Sequence, residues 1–126
     1  MKKTLKIEVN GQEIQIQHHQ YKAGHEVTVL VDAAKLDAAW RAGSTCDGQW
    51  ISPADQGIDD RRARVAQYLA SGKPLQASLI LVDRKGGVVV RDGRHRLATL
   101  RDMGVKVVAV TVARSSLPKL QGMLVG

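Results

Sequence analysis

The chain has 126 residues, enough for one domain with a real hydrophobic core and too few for a second full domain. Aromatic residues make up only 3% and Phe is absent, so the core must be built from Val, Leu, Ile and Ala, and the run of stacking rings typical of single-stranded nucleic-acid platforms is missing. The net charge of +7 is lopsided: residues 1–50 set six Lys/Arg against six Asp/Glu, residues 51–126 thirteen against six, so an anionic partner is expected at the second half, the alternative being a solvated basic surface.

The single cysteine, Cys46, excludes an internal disulfide and fits a reducing compartment. The start, Met1-Lys2-Lys3-Thr4-Leu5-Lys6, leads into alternating rather than continuous apolar residues, so neither a signal peptide nor a membrane span is expected. A soluble cytoplasmic protein with no membrane partner follows as the expectation.

Thr4–Val9 and Gln12–Gln17 alternate apolar and polar residues on either side of Asn10-Gly11, the dipeptide suited to a type I′ turn, and predict a hairpin. Its apolar set, Leu5, Ile7, Val9, Ile14 and Ile16, lies on one face, as for a cover or edge element. Glu26–Val31 reads as a strand, and Asp32 as the cap of a helix from Ala33 to Arg41 that stops at Gly43. Residues 43–57 read as a long loop, a candidate lid. A second helix opens at Asp59 or Asp60 and runs to about Ser71, burying Val65, Ala66 and Leu69 before Gly72-Lys73-Pro74 ends it. Its first turns hold Arg61, Arg62 and Arg64, which oppose the macrodipole by up to roughly 1 kcal/mol each and call for a cause outside the helix. Strands at Ser78–Asp83, Val88–Arg91 and Lys106–Val112, a helix from His95 to Met103, and a tail from Arg114 complete the chain. The order predicts an α+β fold, a mixed sheet with interspersed helices plus the N-terminal hairpin, in one domain spanning 1–126.

The stretch that carries chemistry is Asp92-Gly93-Arg94-His95-Arg96, between the Val88-Val89-Val90 run and the following helix. Uncapped N–H groups at a helix start favour anions, and three basic side chains there cost stability unless an anion compensates. Gly93 removes the Cβ that would obstruct a phosphate. Each residue alone also fits a capped helix start, with Asp92 as cap. The residues by themselves therefore point to an anion site.

The run from Ala63 to Val112, with its helix, Pro-Leu connection, strand, Gly-Gly turn, short strand, Asp-Gly-Arg-His-Arg-Leu-Ala-Thr-Leu-Arg-Asp-Met-Gly-Val and closing Val-Val-Ala-Val-Thr-Val, resembles the ParB/sulfiredoxin-like nucleotide-binding fold. The core of the resemblance is taken as residues 58–112, with the hairpin 1–17 outside it. In that superfamily the corresponding junction grips a nucleotide's phosphates, so the resemblance implies phosphate binding by Gly93, Arg94, His95 and Arg96, with Arg61, Arg62 and Arg64 either an opposite wall or an exposed polar face. Arg94 stands where sulfiredoxins place their catalytic cysteine, which argues against sulfinic-acid repair. The Gly-Glu-Arg-Arg of partition proteins is matched only at Gly93 and Arg96, and no helix-turn-helix region follows, so centromere recognition is not expected. The Asp-Gly-His-His-Arg of free serine kinases differs only at Arg94, yet no Glu occurs after Glu26 to serve as that family's catalytic base.

The implied function is nucleotide or nucleic-acid phosphate binding, with nucleotide hydrolysis, phosphoryl transfer or nuclease chemistry at the motif. Asp92 is the available carboxylate for Mg²⁺ carried with ATP or CTP, and His95 can act as a general acid or base, although hydrogen bonding to phosphate explains it more simply. The alternative is a non-catalytic accessory module of a phage or mobile element that binds the DNA backbone, a protein or a second copy of itself. Asp55, Asp59 and Asp60 offer a second metal contact, and Arg101 is either a site residue or a structural one. His18, His19 and His25 lack a carboxylate cluster at ligand spacing, so no metal site is expected there. Trp40 is expected to pack the first helix, and Trp50 to cover a base or anchor its loop.

Overall fold

The computed structural model describes residues 4–9, 11–18, 25–43, 50, 51, 64 and 67–125. The hairpin forms as its alternation dictates. β1 (Thr4–Val9) and β2 (Gln12–Gln17) pair antiparallel with Leu5 opposite Ile16 and Ile7 opposite Ile14. Gly11, at φ 78°, supplies the left-handed turn residue. Ile7, Val9, Ile14 and Ile16 are buried, and the charged alternates face outward.

The hairpin is more than a cover. A two-residue strand, β4 (Leu75–Gln76), adds in parallel to β2 through Ile16–Leu75 and Gln17–Gln76, and the Ala77 N–H donates to the Gln17 carbonyl at 2.9 Å. The result is a three-stranded sheet in the order β1-β2-β4.

A second, four-stranded sheet has the order β3-β7-β5-β6, built from β3 (Glu26–Asp32), β5 (Ser78–Val82), β6 (Val88–Asp92) and β7 (Val107–Ala113). β7 runs antiparallel to β3 along its whole length and parallel to β5 at Ser78–Val110 and Leu79–Thr111. Its residues from Val108 to Val112 are all buried, as expected of a strand covered on both faces.

The helix α1 (Ala33–Gly43) starts where Asp32 Oδ1 accepts the Lys35 N–H at 2.9 Å, the cap read from the sequence. It drives Leu36 and Trp40 wholly into the core, contributing roughly 1.5–3 kcal/mol for a side chain of leucine's size. Residues 67–70 are helical and end at Ser71-Gly72, with Leu69 buried and Gly72 at φ 75°. The expected start of that helix, with Val65 and Ala66, lies outside the described residues. The motif helix α2 (Arg94–Asp102) begins one residue earlier than the sequence reading placed it and buries Leu97, Ala98, Thr99 and Leu100.

The tail does not trail away. A 3₁₀ helix (Arg114–Leu120) buries Leu120 completely, and residues 123–125 then return along the outer edge of β3. There the Asp32 N–H donates to Met123 O at 2.8 Å, the Val125 N–H donates to Leu30 O at 3.0 Å, and Leu124 bridges Val31. The fold is therefore α+β, with mixed sheets, interspersed helices and an N-terminal hairpin. Among the described residues no helix is long and apolar enough to cross a membrane.

Candidate functional site

β6 sinks Val88 and Val90 into the core and brings Arg91 and Asp92 out at its end. The chain then turns on Gly93, at φ 84° and ψ 27°, and enters α2. Gly93, not Asp92, is the N-cap residue, and among the described residues no side chain makes a capping hydrogen bond there. The Gly93 carbonyl accepts the Leu97 N–H at 2.9 Å and the Ser78 hydroxyl at 3.1 Å.

The reason for glycine at this point differs from the one read in the sequence. A Cβ on residue 93 would lie 2.6 Å from Arg96 Nη2, 2.6 Å from Ser78 Oγ and 3.2 Å from Ser78 Cβ. The space is filled by the protein itself, so Gly93 admits the folded-back guanidinium and the serine rather than holding a vacant approach for a phosphate.

Arg96 is half-buried, and its Nε is buried with no hydrogen-bond partner among the described residues. Burial lowers the guanidinium's pKa from its ordinary value, and attraction to Asp92 and Tyr68 opposes that shift. Arg96 lines a concavity of about 290 Å³ together with Arg64, Tyr68, Leu75 and Gln76. Arg64 is exposed and helical and thus shares this wall with Arg96, whereas Arg61 and Arg62 lie outside the described residues. Arg94 and His95 are half-buried on the first turn of α2, and Asp92 is exposed at the end of β6. Tyr68, Leu75, Gln76 and Ser78 carry no local motif, so sequence reasoning missed them; they reach the concavity or the motif turn only through tertiary packing.

Arg101, also on α2, belongs elsewhere. It donates to Asp37 Oδ1 at 2.9 Å, to Asp102 Oδ1 at 2.9 Å and to the Ile51 carbonyl. Burial disfavours its charge, but the hydrogen bonds to Asp102 and Asp37 outweigh this and raise its pKa above the ordinary value. The Trp50 ring lies 5.1 Å from the Arg41 guanidinium and 5.7 Å from that of Arg101, and its N–H donates to Asp37 at 2.9 Å. Arg101 is thus structural, and Trp50 anchors its segment to α1 and α2. The rest of the candidate lid, residues 44–49 and 52–57, lies outside the described residues together with Cys46, Asp55, Asp59 and Asp60.

His18 is half-buried, and its Nδ1 hydrogen-bonds the Thr28 hydroxyl, which in turn meets the Thr111 hydroxyl at 2.8 Å. This ties the end of β2 to the second sheet. His19 lies outside the described residues. Among the described residues no group of three or more His, Cys, Asp or Glu is placed to hold a metal ion.

No protein-family model and no curated protein sequence matches the chain. Its fold is similar to a solved structure described as an oncogenic suppression activity protein, a plasmid fertility inhibition factor, in a gold(I) cyanide derivative. The TM-score is 0.77 at 19% identity, and the match covers 99% of this chain and 71% of that one. The two proteins share a fold, including the hairpin that the sequence reading set apart.

Proposed function

We propose that this chain is a ParB/sulfiredoxin-like module that binds the phosphate groups of a nucleotide at the start of α2. The observation that carries the reading is the concavity joining Arg64 and Tyr68 to the half-buried Arg96 on the first turn of α2, a helix start where no side chain among the described residues makes a capping hydrogen bond. A phosphate there gains charge-assisted hydrogen bonds and the positive end of the helix dipole together. In this reading the amides of Arg94 to Arg96 and the side chains of Arg94, His95 and Arg96 hold the phosphates. Arg64 closes from the other wall, with Arg61 and Arg62 preceding it in sequence, and the exposed Tyr68 ring offers a face to the rest of the ligand.

Mg²⁺ arriving with ATP or CTP fits this site in a limited way. Such an ion needs one or two carboxylates and the ligand's own phosphates, and Asp92 supplies one carboxylate. Bound there it would neutralise phosphate charge; His95 would then be the group to donate or accept a proton in hydrolysis, phosphoryl transfer or nuclease chemistry. Binding stands first, because the residues that grip are present while a carboxylate base equivalent to that of the serine kinases has no counterpart in sequence after Glu26.

The structural neighbour, a plasmid fertility inhibition factor, and the basic second half of the chain favour one further reading, a cytoplasmic accessory protein of a mobile element that uses the same grip on a DNA backbone. One titration separates the two. Wild-type protein and Arg96→Met are heated with ATP, CTP or inorganic triphosphate, with and without Mg²⁺, and separately mixed with duplex DNA at several salt concentrations. Ligand at one hundred times its dissociation constant adds about 2.7 kcal/mol of stability to wild type. Arg96→Met should lose that shift while staying as stable as wild type without ligand, because a half-buried charge gives way to an uncharged chain of similar volume. A nucleotide-independent melting curve with steeply salt-dependent DNA binding selects the backbone reading, and no effect of any anion rejects both.

A further inference from the structure

We propose that Ser78 is the positioning residue of the anion site, acting through Gly93 and not on the ligand; the proposal rests on the phosphate-binding reading above. Ser78 opens β5, is 4% exposed, and is paired through its backbone to Val110 in the central strand β7. It is therefore held within the buried interior of the four-stranded sheet. From there its hydroxyl crosses to the turn between β6 and α2 and donates to the Gly93 carbonyl at 3.1 Å.

That carbonyl also receives the Leu97 N–H at 2.9 Å. A carbonyl held by two donors cannot swing, and its peptide unit is planar and trans, so the Arg94 N–H at the other end of the same plane is fixed as well, pointing opposite to the carbonyl. The carbonyl points into the helix. The Arg94 N–H consequently points out of the helix start, toward the place a phosphate would occupy. Ser78 Oγ and Arg96 Nη2 also each lie 2.6 Å from where a Cβ on residue 93 would stand, so both flank the same turn. One hydroxyl thereby sets the direction of a backbone donor.

Removing the hydroxyl leaves the Gly93 carbonyl satisfied by Leu97, so the fold survives while the peptide plane loosens. The test is calorimetric titration of inorganic triphosphate and of ATP with Mg²⁺ into wild type, Ser78→Ala and Ser78→Thr, with urea unfolding and amide hydrogen exchange in parallel. Ser78→Ala should bind both ligands about tenfold more weakly, the scale of one hydrogen bond, with faster exchange at Leu97 and a urea midpoint close to wild type. Ser78→Thr, which restores the donor, should return affinity to within about twofold of wild type on the same hydrogen-bond scale. Wild-type affinity in Ser78→Ala, or affinity in Ser78→Thr as low as in Ser78→Ala, overturns the positioning role and leaves the phosphate reading intact. Failure of wild type to bind either ligand overturns the phosphate reading and the role of Ser78 with it.

Discussion

Gly93 shows how one residue can be fixed twice over. Its φ of 84° is a conformation that costs a side-chain-bearing residue about 1 kcal/mol or more, and its Cβ position is occupied by Arg96 and Ser78. Gly93→Ala should therefore lose about 2–4 kcal/mol of stability in urea unfolding, the sum of strain and overpacking. A loss below half that range would mean that Arg96 swings aside without cost, and the guanidinium would then not be held as described. At this scale the sequence was partly readable. The glycine between a β-branched run and a helix, with three basic residues after it, marked the turn. The identity of its neighbours was hidden, because Ser78 enters from another strand and a lone serine at a strand start has no distinguishing pattern.

Among the elements, α1 and α2 are coupled by charge as well as by packing. Arg101 spans them through Asp37 and Asp102 with side-chain exposures of 13%, 26% and 8%, and Trp50 stacks on the assembly. Removing one partner of a largely buried pair leaves the other charge uncompensated, so Arg101→Ala should cost about 2–4 kcal/mol. The phosphate-dependent shift in melting should persist, since Arg101 does not line the concavity. A variant with wild-type stability and no ligand response would instead place Arg101 in the site. The helices themselves were legible because their signals are local: Asp32 as cap, Gly43 at the end of α1, Gly104 after α2. The sequence offers Asp92 as the cap and a helix from His95, whereas in the fold Asp92 completes β6, glycine takes the cap position and α2 starts at Arg94. β4 escaped notice entirely, since two residues carry no periodicity and their pairing with β2 is long-range.

Over the whole molecule, edges decide how the sheets end. β3 lies at one side of the four-stranded sheet, and residues 123–125 cover part of its outer edge through two backbone hydrogen bonds and the Leu124 bridge. Removing residues 121–126 should cost about 1–3 kcal/mol from the lost hydrogen bonds and expose an edge able to pair with another chain. Sedimentation velocity and urea unfolding would read this as self-association with reduced stability. A monomer of unchanged stability would show that the return of the tail is incidental. The sequence suggests only a tail from Arg114 here, because what holds the tail is its partner strand and not its own composition.

The pairing of β2 with β4, and of Ala77 with Gln17, lies between the helical turn that presents Tyr68 and the strand that begins with Ser78. The hairpin thus braces β4, the strand that gives Leu75 and Gln76 to the concavity. In the phosphate-binding reading proposed above, a ligand too wide for the concavity would have to part β4 from β2. Discrimination by girth would then be written in residues 4–17, the stretch of chain that looked least concerned with chemistry.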